Sequence, residues 1–451
     1  MRSYVKILYV NILFMLFLKS LCFAETFNYE KILRFAIENS PVVKAKFYDI
    51  GISSLSYKQS CANILPQISV GSRAEKFENL TKTTGFITAG GQVIGGQPDE
   101  WRTAIYLSGE YYLSNWYKKL PEIKYYKTLK HYSIYDCQTE LKKLIKDVID
   151  AYSALIEANI KLKYSNTVLN QLKEVHNLKK SMYEKGEISY EELLKTEAEI
   201  EAMLKEQTEL KRQFSIALLR ISELTGRKFS IEDSFQEINL KEDFNFTEPD
   251  IETFPEFKAQ LKQKEALEER LKIAKRNFLP DVVLYTRYDL YGSSYYNFRE
   301  SLDNLQKTAF TAGIFLTMPI FDGGRLYWEK EKSFLELKKQ EERIKQLKQE
   351  KSREIESFYL SYTELKNALK RYENLINYYK KIFDITEKAY TLGEKSKLEI
   401  LETKKDIASI QRDMKVTENS LANLEKKLEI EINEELSTYG EYCTYRHWDY
   451  F

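Results

Sequence analysis

The chain repeats itself. Pro41 and Pro66 recur as Pro255 and Pro280, each 214 residues later, and Tyr183, Gly186, Glu187, Ser189, Leu194 and Thr196 recur as Tyr390, Gly393, Glu394, Ser396, Leu401 and Thr403, each 207 later. The first copy therefore carries a net seven extra residues between these landmarks. Chance likeness between lysine- and glutamate-rich helices would not keep prolines and glycines in register. Two copies of roughly 200 residues mean one supersecondary unit used twice about a pseudo-symmetric axis.

The first 24 residues read as a secretory signal peptide. Arg2 and Lys6 precede an apolar run from Ile7 to Leu18, and Cys22-Phe23-Ala24 offers a cleavage site after Ala24. Lys19 sits where a lipoprotein signal leading to Cys22 wants an aliphatic residue. Beyond this segment no run of 18 apolar residues exists, so a membrane crossing would have to use strands. Cys61, Cys137 and Cys443 form an odd set without metal-like spacing and are expected to be buried or incidental thiols. The formal net charge is +1, with 69 basic and 68 acidic residues interleaved, which leaves no field for nucleic acid. The 33 tyrosines are a surplus for a soluble helical protein and fit a membrane interface.

Each copy reads as helix, strand, loop, strand, very long helix, turn, helix. Glu122 to Lys185 and Arg325 to Leu392 run 64 and 68 residues without glycine or proline. At about 1.5 Å per residue each makes a helix of roughly 100 Å. Heptads mark the seams. In the second copy Ile355, Phe358, Tyr362, Leu365, Leu369, Tyr372, Ile376, Tyr379 and Phe383 alternate spacings of three and four. In the first, Leu141 to Leu172 does the same, and Ile145, Ile149, Ile156 and Ile160 add a second apolar stripe, so this helix needs partners on two sides. The shorter helices, Pro41 to Leu65 with Ser189 to Thr225 and Pro255 to Leu279 with Leu398 to Asn433, match one long helix when stacked end to end. A helical wall results.

Period two appears at about 67–77, 101–113, 281–290 and 310–320. Ile105 and Leu107 alternate with Arg102 and Tyr106, and Phe310 and Ile314 with Thr311 and Gly313; Arg73, Glu75, Arg287 and Asp289 fall on the polar face. Strands near ten residues with one apolar and one polar face suit a transmembrane barrel. Four strands cannot close one, because about eight are needed, so several chains must share it. The organisation expected is a signal peptide (1–24), a first repeat (25–226, with the long helix 117–185 and the helix 189–225), an inter-repeat equatorial segment (227–254), a second repeat (255–433, with helices 325–392 and 398–433) and an equatorial tail (434–451). The fold class is α+β: a long helical coiled-coil barrel joined to a transmembrane β-barrel, four strands per chain, closed by a homotrimer. The loops Asn79 to Glu100, which is glycine-rich, and Tyr291 to Lys307 would face the exterior.

The order of these elements, Leu65-Pro66-Gln67 and Leu279-Pro280 before the strands, Pro319-Ile320-Phe321-Asp322-Gly323-Gly324-Arg325, and the turns at Tyr183-Glu184-Lys185-Gly186 and Tyr390-Thr391-Leu392-Gly393 together resemble the TolC-type outer-membrane efflux and secretion channels over nearly all of the mature chain. The resemblance implies a homotrimer set in outer-membrane lipid, with a helical tunnel in the periplasm. It further implies docking onto a periplasmic adaptor and an inner-membrane pump, as the exit duct of a tripartite efflux or type I secretion system. It assigns Lys395 to a basic latch residue, Glu191 and Glu192 to its partners and Tyr390 to a latch tyrosine. Glu399 and Glu402 take the place of acidic rings lining a constriction, where mutual repulsion would raise some carboxylate pKa values. The turns at Gly186 and Gly393, each followed by a serine (Ser189, Ser396), are the implied adaptor-docking tips. No catalytic constellation, cofactor motif or metal site is legible: His131, His176 and His447 lack paired spacing, and Gly90-Gly91 and Gly95-Gly96 lack the lysine of a phosphate loop. A periplasmic coiled-coil adaptor without a pore is the competing reading, and it leaves the four alternating strands without a use.

Overall fold

The computed structural model describes residues 26–78, 86–87, 93–94, 100–240, 249–431 and 440–443. The expected signal peptide, most of the 79–100 loop and most of the C-terminal tail lie outside them. In chain order the elements are β1 (Thr26–Phe27), α1 (Tyr29–Asn39), α2 (Pro41–Ala62), β2 (Gln67–Phe77), β3 (Phe86–Ile87), β4 (Val93–Ile94), β5 (Glu100–Tyr112), α3 (Asn115–Lys118), α4 (Leu120–Glu184), α5 (Tyr190–Thr225), β6 (Ser234–Phe235), α6 (Pro255–Arg276), β7 (Asp281–Ser294), α7 (Phe298–Asp303), β8 (Lys307–Thr317), α8 (Arg325–Thr391) and α9 (Lys397–Glu431), with short 3₁₀ turns at Ile251–Thr253 and Gly440–Cys443. The chain divides into two units, and α4 and α8 contribute to both.

Prolines open the helices as expected at Pro41 and Pro255, the first residues of α2 and α6; α4 starts at Leu120 rather than at the expected 117, with Pro121 in its first turn, where the missing N–H costs nothing. Helix α1 was not legible in the periodicity. Asn28 caps it by accepting from the Lys31 amide at 2.9 Å, and Ile32, Leu33, Ala36 and Ile37 bury one face. Strand β8 begins at Lys307 and stops at Thr317, three residues earlier at each end than expected, because Pro319 cannot donate to a ladder. Strand β7 runs on to Ser294, four residues past the expected end.

The second unit (Tyr48–Tyr135, Lys258–Gln346 and Tyr450–Phe451) holds the principal sheet, four antiparallel strands in the order β2-β5-β7-β8. Register fixes the faces. Val70 pairs with Leu107, Leu107 with Tyr288 and Tyr288 with Phe310, so one face is apolar across all four strands. Among the described residues nothing covers that face: Ile68, Val70, Phe310, Ile314 and Leu316 are 77, 75, 70, 69 and 65% exposed. The opposite face carries Arg73, Glu75, Arg102, Arg287 and Asp289. Each arginine there meets a carboxylate two residues away on its own strand: Arg73–Glu75 at 3.1 Å, Arg102–Glu100 at 2.6 Å and Arg287–Asp289 at 2.7 Å. Tyr106 lies across Gly71, where a Cβ would come within 2.5 Å of the ring, and the Arg287 guanidinium stacks 4.0 Å from the Tyr106 centroid. The expected loop between β7 and β8 contains α7, seated on Gly292; a Cβ there would meet the Ser301 carbonyl at 2.3 Å.

The first unit, over its described residues 26–47, 136–240, 249–257, 347–431 and 440–443, is mainly helical. Both stripes of α4 are buried: Leu141, Val148, Leu155, Leu169 and Leu172 on one, Ile145, Ile149, Ile156 and Ile160 on the other. On α8, Ile355, Tyr362 and Ile376 of the expected seam are buried, and Tyr362 packs with Leu421, Leu424 and Leu428 of α9. The parallel pair β1 and β6 is held by Tyr152 of α4, whose hydroxyl donates to the Gln236 carbonyl at 2.7 Å. Burial pushes that phenol far above its ordinary range.

Two features correct the expectations. Cys137 and Cys443 are not thiols; they form a disulfide across 306 residues, both sulfurs fully buried, while Cys61 is free and half-buried. Spacing alone cannot reveal a pair formed by positions so far apart. Beside the bridge, six charges from four helices close an alternating ring. Lys142 meets Glu256 at 3.5 Å and Glu431 at 2.6 Å, Glu431 also meets Lys146, Lys146 meets Glu354 at 3.1 Å, Glu354 meets Lys351 at 2.7 Å, and Lys351 returns to Glu256 at 2.9 Å. Lys142 also lies 4.1 Å from the Phe254 centroid. Lys142 and Glu431 are 3% and 1% exposed, so each buried charge survives only because the ring offers it two partners.

Burial alone would push the Glu256 carboxyl up; the Lys142 and Lys351 ammonium groups overcome this and hold it below the usual range. Glu354 is lowered in the same way by Lys351 and Lys146, against its burial. A carboxylate with a depressed folded-state pKa contributes stability that is present above its unfolded value and lost as pH falls through the folded one. The melting temperature should therefore hold at neutral pH and fall below about pH 4.5, the ordinary glutamate range. Glu354→Gln should flatten that fall in a thermal scan against pH, and an unchanged acid slope would place the titrating groups elsewhere.

Candidate functional site

The two helical turns that sequence reasoning singled out are built alike. At the end of α4 the Gly186 amide donates to the Tyr183 carbonyl at 2.8 Å and the Glu187 amide to Met182 at 2.9 Å. At the end of α8 the Gly393 amide donates to Tyr390 at 3.0 Å and the Glu394 amide to Ala389 at 2.9 Å. Both are Schellman caps with glycine in the left-handed region, at φ 80° and 77°. Nothing lies within 4 Å of a Cβ on either glycine, so only backbone conformation demands glycine there.

The next helix begins the same way in each copy. Ser189 accepts from the Glu192 amide at 3.3 Å, and Ser396 accepts from the Glu399 amide at 3.4 Å. In the second copy Glu399 completes a capping box by accepting from the Ser396 amide at 3.2 Å. Glu192 and Glu399 thus hold equivalent third positions of their helices, a Ser-x-x-Glu signal present in the sequence and missed there. Each tip is a rigid knob: a glycine-capped helix end followed closely by a serine-capped helix start.

Within one chain the charged residues of the tips pair locally. Lys395 pairs with Glu399 at 3.0 Å, one turn along its own helix entry, and Glu191 pairs with Lys195 at 2.7 Å. Within the single chain the described ion pairs do not join Lys395 to Glu191 or Glu192. Within one chain the Lys395 ammonium and the Ser396 amide hold the Glu399 carboxyl below the usual range. The reason is local: the capping box draws the carboxylate back over the first turn, within reach of Lys395. Glu402 is exposed, and Tyr390 is 42% exposed, like its counterpart Tyr183. Tyr183 itself lies against Tyr190, ring centroids 5.6 Å apart.

In the second unit, the polar face of the sheet borders an open concavity of about 920 Å³, lined by Arg73, Arg102, Tyr106, Tyr285, Arg287 and Asp289 among others. A sheet with one apolar and one charged, concave face has the two-sided pattern of transmembrane β-barrel strands.

Residues 251–429 match the outer membrane efflux protein family. By sequence alone no curated protein matches. Among solved structures the chain is similar to the Campylobacter jejuni CmeC outer membrane channel, at 18% identity over 92% of this chain and 89% of that one, with a TM-score of 0.75. It is similar also to the outer membrane protein VceC of Vibrio cholerae, at 15% identity over 90% and 95%, TM-score 0.75. The open state of the Neisseria gonorrhoeae MtrE outer membrane channel matches at 16% identity over 89% and 88%, TM-score 0.63. The TolC-type resemblance therefore holds: the chain has the fold of these outer-membrane channels, and its second repeat carries the sequence pattern of the outer membrane efflux family.

Gly186→Ala and Gly393→Ala should each cost about 1 kcal/mol, the penalty for placing a Cβ in the left-handed region. The loss should stay local, read as faster hydrogen exchange at the Glu187 and Glu394 amides with the remaining helices unchanged. Unchanged exchange at both would show that the tips do not rely on these caps.

Proposed function

We propose that the chain is the protomer of a homotrimeric channel-tunnel in the outer membrane, the exit duct of a tripartite efflux or type I secretion system. The observation that carries this reading is the sheet. Its outer strands β2 and β8 each have one unpaired edge, and its apolar face is bare. In lipid an open edge leaves backbone groups unsatisfied at several kcal/mol each. Three four-stranded sheets joined edge to edge remove every edge and turn the Arg73, Arg102 and Arg287 face toward a common lumen.

The helices support the same count. Leu375, Tyr378, Ile382 and Ile385 of α8 follow the three-and-four spacing of a seam, yet they are 39, 63, 47 and 65% exposed. Leu219 and Ile216 of α5 are likewise exposed. An apolar heptad stripe left bare in one chain is a surface for the helices of the next.

The tips act as the gate. Their twin glycine and serine caps, Gly186 with Ser189 and Gly393 with Ser396, offer quasi-equivalent knobs for a periplasmic adaptor coupled to an inner-membrane pump. Lys395, held by Glu399, neutralises one carboxylate of the acidic neck formed by Glu399 and Glu402; on closure it would engage Glu191 or Glu192 of the neighbouring copy, with Tyr390 beside it. The experiment is single-channel conductance in a planar bilayer for wild type, Lys395→Ala and Glu192→Ala. A small, cation-preferring conductance that grows several-fold in both variants is expected. No conductance in any form would remove the duct and favour the pore-less coiled-coil alternative; equal conductance in all three would remove the latch.

A further inference from the structure

The Cys137–Cys443 bridge and the contacts of Lys142 and Lys146 with Glu431 in the six-charge ring all join α4 to the C-terminal stretch of the chain, away from the Gly186 and Gly393 tips. Cys137 lies on α4, five residues before Lys142 and nine before Lys146, a rise of about 7 and 13 Å along the helix. Cys443 lies twelve residues beyond Glu431, the last described residue of α9. Lys142 and Lys146 are the two ring members that hold Glu431. The bridge thus anchors the chain just past the point where the ring must grip it.

Glu431 is the weak member of the ring. A carboxylate at the C-terminal end of a helix faces the negative pole of the helix dipole, and this one is 1% exposed. Left to itself, the end of α9 would fray and take the charge into water. Lys142, 3% exposed, would then keep only Glu256 at 3.5 Å, a buried cation without adequate compensation. A covalent tie across 306 residues removes more freedom from the unanchored chain than a short loop could.

We propose that oxidation of Cys137 and Cys443 is a maturation step of this protein: the bridge pins the end of α9 so that Glu431 completes the buried ring. The reaction is dithiol–disulfide exchange with a protein disulfide oxidant. One cysteine thiolate attacks the oxidant's disulfide to form a mixed disulfide, and the second displaces the oxidant as a dithiol. Two thiol protons are released to solvent and taken up by the departing thiolates, and two electrons pass from the pair to the oxidant. Because both sulfurs are buried in the finished fold, the exchange precedes closure of the ring. The inference rests on export from the cytoplasm, the compartment expected from Arg2 through Ala24, and is independent of whether the trimer conducts.

The test uses full-length protein exported in cells with and without their periplasmic dithiol oxidant. Thiols are alkylated after denaturation, and cleavage by trypsin after Lys426 and Lys427 near the end of α9 is timed on the folded protein. With the oxidant, Cys61 alone should label and cleavage should be slow; without it, all three cysteines should label and cleavage at these lysines should be about tenfold faster or more, whether or not other sites open too. Cys61→Ser should match wild type. Lys142→Met with the bridge intact should open the Lys426–Lys427 site alone. Labelling of Cys443 in the normally matured protein, or equal cleavage with and without the oxidant, would overturn the maturation step. Wild-type cleavage in Lys142→Met would overturn its coupling to the ring.

Discussion

Unsatisfied backbone at the two edges of the sheet is the constraint on which the rest of the structure depends. Strands β2 and β8 pair on one side only, and the face that would meet lipid is already apolar from Ile68 to Leu316. Water would tolerate such edges; hydrocarbon does not. In the proposed trimer further copies of the chain satisfy them, and that requirement sets the demand on everything else. The helices must also present surfaces to the same neighbours, as the bare stripe of Leu375, Tyr378, Ile382 and Ile385 does.

The charges of the sheet's polar face and those of the buried helical ring are compensated in the same way, by partners within the chain. On the sheet each arginine has a carboxylate on its own strand, so the compensation does not depend on how copies meet. In the helical unit the ring of Lys142, Glu256, Lys351, Glu354, Lys146 and Glu431 gives every member two partners. Such rings add little over a well-packed apolar core in free energy, but they fix which helices meet. Here they tie α4, α6, α8 and α9 at one point. The exposed tips, with their helix-capping carboxylates, are the part of the helical unit where pairing is easiest to exchange.

Much of this was legible in the residues because it rests on local rules. Prolines at 41 and 255 mark helix starts, Gly186 and Gly393 mark helix ends, and alternation in β5 and β8 separates lipid-suited from polar faces. What escaped was of two kinds. Some signals were present and unread: Ser-x-x-Glu at Ser189 and Ser396 marks a serine-capped helix start, closed into a full capping box at Ser396, and reading it would have placed Glu192 and Glu399 on their own helix starts and Lys395 beside Glu399. Others are invisible to any local rule. The Cys137–Cys443 pair and the Lys142–Glu431 contact join residues about 300 positions apart, and only the packing of α4 against the chain's far end creates them.

The most direct measurement of the central claim is the mass of the detergent-solubilised assembly by native mass spectrometry, across dilution. The account requires three chains that stay together as long as the sheet is folded, since each edge is satisfied only by a neighbour. A stable folded monomer or dimer that retains its strand signal would contradict it, because two or more strand edges would then persist in a hydrocarbon environment without partners.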